Sequence, residues 1–305
     1  MVRSARFEAF VHSMPARPVR EVSSMHPLGD RRMHLPRVDA PRWLVVSDFD
    51  ETYLAHDGSP ERRRDRRALE QFLIEYARTL GIVFGWVTDG PIDTVAATVQ
   101  AHGLRVVPHF IASSWGAELD FFSRGAGRRS AAEWDARMGV SGFSLSLVND
   151  ARNELANRGV RLEDRVGGSP RMDSFVFVPS TKPHAGELAA LIHRVAEKHF
   201  VDVHVGPCHP ALGEAEGAYG VDFVPRGANK RNVVQFVMER LGVPRIRTMA
   251  FGDDLGDIDM LCAVEHGHLV DNATNEARRR FSRTAGASYA RGILDMMERR
   301  ITGTG

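Results

Sequence analysis

The stretch that most limits how this chain can fold is Trp43 to Leu54, WLVVSDFDETYL. The apolar run Trp43-Leu44-Val45-Val46 gives way within two residues to Asp48-Phe49-Asp50-Glu51-Thr52. A short apolar run that stops at polar residues reads as a strand buried on both faces, as in a parallel sheet. Ligands of such sheets sit just beyond the carboxyl ends of the strands. Residues two apart in an extended chain point the same way, so Asp48 and Asp50 can converge on one site. Taken alone, the pair could equally be solvated acids of an ordinary loop.

Three later segments repeat the pattern. Gly81 to Thr88, GIVFGWVT, is apolar, ends in a hydroxyl and precedes Asp89-Gly90-Pro91. Lys230 follows the strand-like Val221 to Val224 and opens a helical pattern over Asn232 to Leu241. Thr248 to Phe251 runs into Gly252-Asp253-Asp254-Leu255-Gly256-Asp257. Between the first two segments, Leu69, Phe72, Leu73, Tyr76, Ala77 and Leu80 share one face of a helix, which makes a right-handed βαβ unit. The expected fold is α/β: a Rossmann-like parallel-sheet core with helices on both faces. Asp89 is a candidate cap of the helix after Thr88, with Pro91 in its first turn.

Between about Arg124 and Gly217 the pattern changes. Glu133 to Ala156 is polar and helix-like, Phe175 to Val178 and Val201 to Val205 read as strands, and Ala185 to His199 is an amphipathic helix. The expected organisation is a core over 41–123 and 218–305, interrupted by an α+β cap over 124–217. Residues 1–40 carry Arg3, Arg6, Arg17, Arg20, Arg31, Arg32 and Arg37, several prolines and no periodicity. They read as a flexible Arg-rich extension, with Met25 or Met33 as alternative starts, and they lack the apolar region of a secretory signal.

Four segments in order, ending in Asp/Asp/Thr, Thr, Lys and Asp/Asp, resemble the haloacid dehalogenase superfamily of phosphohydrolases. Asp48 to Thr52 matches its DxDxT motif, Thr88 its second motif, Lys230 its third, and GDDLGD its metal motif. DFDETY, GWVT, PHFIAS and YGVDFVP further resemble the sugar-phosphatase branch with a large inserted cap, the kanosamine-phosphate phosphatases and, more distantly, the sucrose-phosphate phosphatases. The resemblance implies a Mg²⁺-dependent phosphohydrolase acting on a sugar phosphate, with a kanosamine phosphate as one candidate. A phosphomutase on the same scaffold and a non-catalytic sugar-phosphate-binding regulator are the alternatives.

In that reading Asp48 attacks phosphorus to form an aspartyl-phosphate, a known role for carboxylates. Asp50 protonates the leaving oxygen and then activates water, so it must carry a proton for the first step. Thr52 orients Asp50. Thr88 and the amides around Asp89 hold phosphate oxygens, and Lys230 neutralises charge. Asp48, Asp50 through its carbonyl, Asp253 and Asp257 hold Mg²⁺, whose preference is for hard oxygen ligands. Asp254 could serve in place of either of the last two. Leu255 and Gly256 replace a Gly-Asn pair common in the branch. Asn272 matches a segment near the phosphate, with a turn role the alternative. Cap candidates for the sugar are Arg171, Asp173, Ser174, His209 and Glu216, with solvated loop positions the competing reading.

Composition excludes several classes. The net charge of +1 attracts neither nucleic acid nor membrane. Two cysteines, Cys208 and Cys262, make no disulfide framework and fit a reducing cytoplasm. No apolar stretch approaches the ~18 residues of a membrane span. The expected partner is a small molecule, and the expected state a monomer or homodimer.

Overall fold

The computed structural model describes residues 28, 33–123, 127–165, 168–208 and 216–303. Its main element is a sheet of seven strands. In chain order these are β2 (Trp43–Asp48), β3 (Ile82–Val87), β5 (Phe110–Ser113), β6 (Glu118–Ser123), β7 (Gly127–Ser130), β12 (Thr248–Gly252) and β13 (His266–Leu269). The spatial order is β13-β12-β2-β3-β5-β6-β7, with all pairs parallel out to β5 and antiparallel beyond it. The chain steps from β2 outward to β3 and β5, and later fills the other side with β12 and β13. The carboxyl end of β2 is thus a switch point, the position where open α/β sheets bind ligands.

Alternation along β2 divides the core. Val45 packs with Phe84 and Trp86 beneath helices α1 (Pro60–Leu80), α2 (Ile92–Ala101) and α9 (Tyr289–Met297). Leu44 and Val46 pack on the opposite face against α6 (Lys230–Leu241) and α7 (Ile258–Ala263). The sequence of α1 explains its length. The Ser59 hydroxyl accepts from the Arg62 amide, Pro60 opens the first turn, and Gly81 ends the helix in the left-handed conformation at φ 70°.

A second sheet, of four antiparallel strands, has the order β10-β11-β9-β8: β8 (Glu163–Asp164), β9 (Asp173–Phe177), β10 (Asp202–Pro207) and β11 (Tyr219–Val224). Helices α4 (Leu145–Asn157) and α5 (Lys182–Lys198) cover one face of it, through Val148, Leu155, Ile192 and Val195 on Phe175, Val203, Val221 and Phe223. Ser174, Asp222 and His204 lie side by side across three strands, in the register alternating with that apolar face.

The element order and strand pairing correct the sequence reading at four places. The stretch over Tyr219 to Val224 is apolar enough for the core, yet it is the centre of the smaller sheet; Lys230 reaches the main sheet by its helix, not at the end of a core strand. Gly127–Ser130 stays in the larger sheet. Glu133 to Ala156 is two helices, α3 (Ala132–Val140) and α4, because Gly142 at φ 65° interrupts them. The described part of residues 1–40 is also docked rather than loose. β1 (Met33–His34) pairs in parallel with β4 (Val106–Val107), and Leu28 and Leu35 are buried in the core.

Candidate active site

β2 delivers Asp48, and the chain then turns at Glu51, held at φ 57°. That strained turn is fixed from the far end of the chain. Asn272 donates its amide to the Glu51 carbonyl at 2.6 Å, and its Oδ1 accepts from the Tyr289 amide at 3.0 Å. Tyr289 also donates its hydroxyl to Glu51 Oε2 at 3.1 Å. Asn272 is therefore a brace of the nucleophile loop.

Lys230 enters at the start of α6, where Asn229 caps by accepting from the Asn232 amide. Its ammonium donates to Asp48 Oδ1 at 2.7 Å and to Asp257 Oδ1 at 2.8 Å, with Lys230 and Asp48 each only 5 % exposed. Burial alone would lower the lysine's pKa. Asp257, Asp48, Asp254 and Asp89 outweigh that and hold it charged, well above the ordinary lysine range. Asp48 is pushed up by burial, opposed by Lys230 and reinforced by Asp257 and Asp253. Asp253 is likewise raised, by burial and then by Asp257 and Asp254.

The loop after β12 is folded around Asp257. Its Oδ2 accepts from the amides of Asp253 at 2.9 Å and Asp254 at 3.2 Å. Gly252 makes this approach possible: a Cβ there would lie 2.3 Å from the Asp257 Cβ. Asp254 instead caps its own turn, accepting from the Gly256 amide at 2.7 Å. Carboxylate oxygens of Asp48, Asp253 and Asp257 lie within 4.8 Å of one another, all buried. Three buried carboxylates facing one ammonium leave negative charge uncompensated, and an all-oxygen donor set of that kind suits a hard divalent cation. The residues present fit Mg²⁺, and the carboxylate group that comes together is Asp48, Asp253 and Asp257, without Asp254.

The structure departs from the expected roles at several residues. Thr52 does not touch Asp50; its hydroxyl donates to Asp253 Oδ1 at 2.6 Å. Asp50 is held by His56, whose Nε2 lies 2.6 Å from Asp50 Oδ1, and that hydrogen bond raises the imidazole against the opposing effect of burial. Thr88, fully buried, lies at 3.5 Å from Asp50 Oδ2 and accepts from the Gly90 amide at 3.2 Å. Asp89 does not cap α2, whose first turn follows Pro91 with no side-chain cap; its Oδ1 accepts from Thr88 at 3.4 Å. Among the cap candidates, Arg171 is engaged by Asp135 at 2.6 Å and the Ala117 carbonyl at 3.2 Å. Asp173 is half-buried, Ser174 is buried beside Asp222, and Glu216 is exposed in a turn. His209 lies outside the described residues. Sequence reasoning missed the roles of His56, Trp115, His204 and Asp222. Asp222 sits inside the matched segment YGVDFVP, but nothing there names its partner Trp115, 107 residues away; the other three lie outside the matched motifs.

A carboxylate pair at a switch point, a buried ammonium on the first carboxylate and an acidic cation cradle together define a phosphoryl-transfer hydrolase. Comparison with known proteins agrees. Residues 209–297 match the haloacid dehalogenase-like hydrolase family. The chain is 30% identical to the kanosamine-6-phosphate phosphatase of Bacillus subtilis, over 88% of this chain and 95% of that protein. It superposes on a haloacid dehalogenase-like hydrolase of Bacillus subtilis with a TM-score of 0.71 at 29% identity, over 89% of this chain and 96% of that one. The sucrose-phosphatase of Synechocystis sp. PCC6803, solved with sucrose and phosphate, shares the fold at a TM-score of 0.64 and 18% identity, over 84% and 97%. The chain belongs to the haloacid dehalogenase-like hydrolases, and it is a phosphatase of that superfamily. No helix among the described residues is long and apolar enough to cross a membrane.

Proposed function

We propose that the protein is a Mg²⁺-dependent phosphatase of a hexose phosphate, acting through an aspartyl-phosphate on Asp48. The observation that carries this reading is the Lys230 ammonium bonded at once to Asp48 and Asp257, beside the carboxylate cradle of Asp48, Asp253 and Asp257. Asp48 attacks phosphorus while the bond to the sugar oxygen breaks, and Asp50 gives that oxygen its proton. Water then attacks the phosphoryl-Asp48, Asp50 takes its proton, and inorganic phosphate leaves. His56 holds Asp50 in its place through both steps. Thr88 and the Gly90 region bind the non-bridging oxygens, and Lys230 balances their charge. Asp48, Asp253, Asp257 and the Asp50 carbonyl would hold Mg²⁺, which supplies further charge stabilisation for the phosphoryl group when bound.

The smaller sheet with α4 and α5 acts as the cap that covers the leaving group, and we take kanosamine-6-phosphate as the first substrate to try, on the strength of the 30% identity to that phosphatase. Asp222, in the smaller sheet, and Asp89, in the loop after β3, put two acids near each other where that sheet meets the main one, which suits a leaving group that carries an amine. The reading includes a cytoplasmic enzyme, monomer or homodimer, with no partner beyond its small-molecule substrate. The test is phosphate release from a panel of aminated and plain hexose phosphates, with and without EDTA. Release that depends on Mg²⁺ and vanishes in Asp48→Asn supports the reading; release unaffected by EDTA and by Asp48→Asn overturns it. Free phosphate, rather than an isomerised sugar phosphate, distinguishes hydrolysis from mutase transfer.

A further inference from the structure

Trp115 occupies a conformation that a large aromatic residue does not choose. Ser114 and Trp115 sit consecutively in the left-handed region, at φ 53° and 58°. Glycine and asparagine are the usual occupants of such positions, and strain of this kind persists only where the surroundings over-determine it. The surroundings here are unusually many. The Trp115 amide donates to the Thr88 carbonyl at 3.1 Å, which ties its backbone to the phosphate loop. The indole N–H donates to Asp222 Oδ2 at 2.9 Å. The ring stacks on His204 with centroids 4.0 Å apart and planes 7° from parallel. Its far edge lies against Gly256, where an added Cβ would come within 3.1 Å of the ring. Lys230 Nζ lies 5.4 Å from the ring centroid.

One side chain therefore touches the cation that grips the nucleophile, the turn that carries Asp257, and the smaller sheet. His204 and Asp222 are direct cross-strand partners in that sheet, so the indole is seated on a single rigid pair. Asp222 is 6 % exposed, and its Oδ1 has no hydrogen-bond partner; the Arg165 guanidinium stands 3.7 Å from it. His204 also bonds the Ala228 carbonyl at 3.1 Å, two residues before Lys230. The ammonium of Lys230 spends two donors on Asp48 and Asp257, and the indole face offers its quadrupole to the same charge.

We propose that Trp115 is a positioning residue for phosphoryl transfer: its indole, set by Asp222 and His204 of the smaller sheet, holds the Lys230 ammonium over Asp48. Docking of the cap and neutralisation of the phosphoryl charge are then one event. This rests on the phosphatase reading above. It also accounts for a tryptophan at a position whose backbone favours glycine or asparagine: either of those would relieve the strain but leave Lys230 without its aromatic contact.

The experiment measures kcat and KM of the full-length enzyme with Mg²⁺ on p-nitrophenyl phosphate, which carries no sugar, and on a hexose 6-phosphate. Trp115→Leu keeps apolar bulk but loses the quadrupole; kcat falls about tenfold or more on both substrates, the range a desolvated cation–π contact supplies. KM for p-nitrophenyl phosphate stays within about twofold, on the rule that a transition-state contact moves kcat. Trp115→Phe, which keeps a weaker aromatic face but loses the N–H that bonds Asp222, recovers only part of that loss. Asp222→Ala lowers kcat, and Trp115→Phe with Asp222→Ala is no worse than the worse single change, because both cut one link. A purely structural role would instead make activity follow the melting temperature in every variant, with additive losses. Wild-type kcat in folded Trp115→Leu, or additivity in the pair, overturns the proposal. Should Trp115→Leu fail to fold, Trp115→Phe and the Asp222→Ala cycle decide. Should the wild type release phosphate from neither substrate, the phosphatase reading fails. The Trp115–Lys230 contact is then judged by calorimetric affinity for inorganic phosphate, about tenfold weaker in Trp115→Leu if it holds and unchanged if it does not.

Discussion

His56 Nε2 and Asp50 Oδ1 stand 2.6 Å apart, and this contact, not one from Thr52, fixes the second carboxylate of the site. The pair is half-sheltered, with the imidazole 13% and the carboxylate 25% exposed, and the His102 ring stands edge-on to His56 at 5.2 Å. An acid that serves twice in one cycle gains from a fixed rotamer, since general acid–base catalysis is worth roughly 10²–10⁴ in rate and depends on reach. His56→Ala should lower kcat about 10–100-fold with KM little changed, a fraction of that same range. His56→Gln keeps a donor at similar reach and should recover much of the loss. Steady-state kinetics alongside thermal melts of both variants check this; equal losses in the two variants, or none, contradict it.

Thr52 acts one step further from the chemistry. Its hydroxyl donates to Asp253 Oδ1 at 2.6 Å, while Asp48 and Asp257 have Lys230 as their partner. Groups that orient a metal ligand typically carry 10–100-fold in metal affinity. Thr52→Val, which removes the hydroxyl and keeps the shape, should therefore raise the Mg²⁺ concentration for half-maximal activity by about that factor, and rate at saturating Mg²⁺ should largely return. A Mg²⁺ titration of rate, with direct calorimetry of Mg²⁺ binding, measures both.

The two acids on either side of Leu255 and Gly256 divide their work cleanly. Asp257 bonds Lys230 and two backbone amides, and it is fully buried; Asp254 closes a capping box on its own turn. Asp257→Asn should abolish most activity by removing one of the two negative charges bonded to Lys230 and a carboxylate of the cation cradle. Asp254→Asn leaves a capping acceptor, so its cost should stay below the ~1 kcal/mol typical of a lost cap. Activity of the two variants at saturating Mg²⁺, with chemical denaturation of each, separates a ligand from a cap. Equal losses of activity would show that both acids face the cation.

Much of this site could be read in the sequence because each motif is a local event: an apolar run, a break, and the right acid or base after it. Asp48, Lys230, Asp253 and Asp257 meet as those motifs imply, with Lys230 reaching Asp48 across 182 residues. What could not be read is pairing. Tyr219 to Val224 has the composition of a core strand, and nothing within it says that its neighbours are β9 and β10. Thr52 obeys the same rule: its motif names the residue but not its acceptor. Trp115 and His56 are single side chains whose meaning lies wholly in their partners. The docking of Leu28 and Leu35 was hidden for a different reason, because isolated leucines among arginines and prolines carry no period.

Stability should depend on pH through the histidines as well as the acids. Burial lowers His204 to about 4, with Lys230 and His193 adding to the shift and the Ala228 carbonyl and Asp202 opposing it; burial lowers His268 to about 4 as well. An unfolded chain takes up these protons near pH 6.5, the folded one only near 4. Between those values the unfolded state binds more protons, so this contribution is whole above about 6.5 and is lost as pH falls toward 4. Each site is worth at most ~3 kcal/mol on that span. Asp222 and Glu70, both raised mainly by burial, act in the opposite sense over the acid range. The clean measurement is therefore a difference. His204→Phe keeps a ring under Trp115, and the gap in urea midpoint between it and the wild type should widen in the variant's favour from pH 6.5 to 4.5. A gap that is constant with pH would show that His204 does not titrate in this window.

Leu35 offers the simplest check on the amino-terminal segment. It is 3 % exposed, and its amide donates to the Val107 carbonyl at 3.3 Å, continuing the pairing of Met33–His34 with Val106–Val107. The next residue, Pro36, accepts at 3.0 Å from Nε2 of His109, whose Nδ1 in turn accepts from the Phe84 amide in β3. A segment wired to the central sheet in this way is part of the cooperative unit, whatever precedes it. Leu35→Ala should cost about 2–5 kcal/mol, the usual price of a buried leucine truncation. The active site stands at the other ends of these strands, so kcat at a temperature well below melting should hold near the wild-type value. Denaturant unfolding and steady-state kinetics on the same preparation test both halves. A cost under about 0.5 kcal/mol, the level of an ordinary surface change, would mean that residues 33–40 lie on the core without stabilising it.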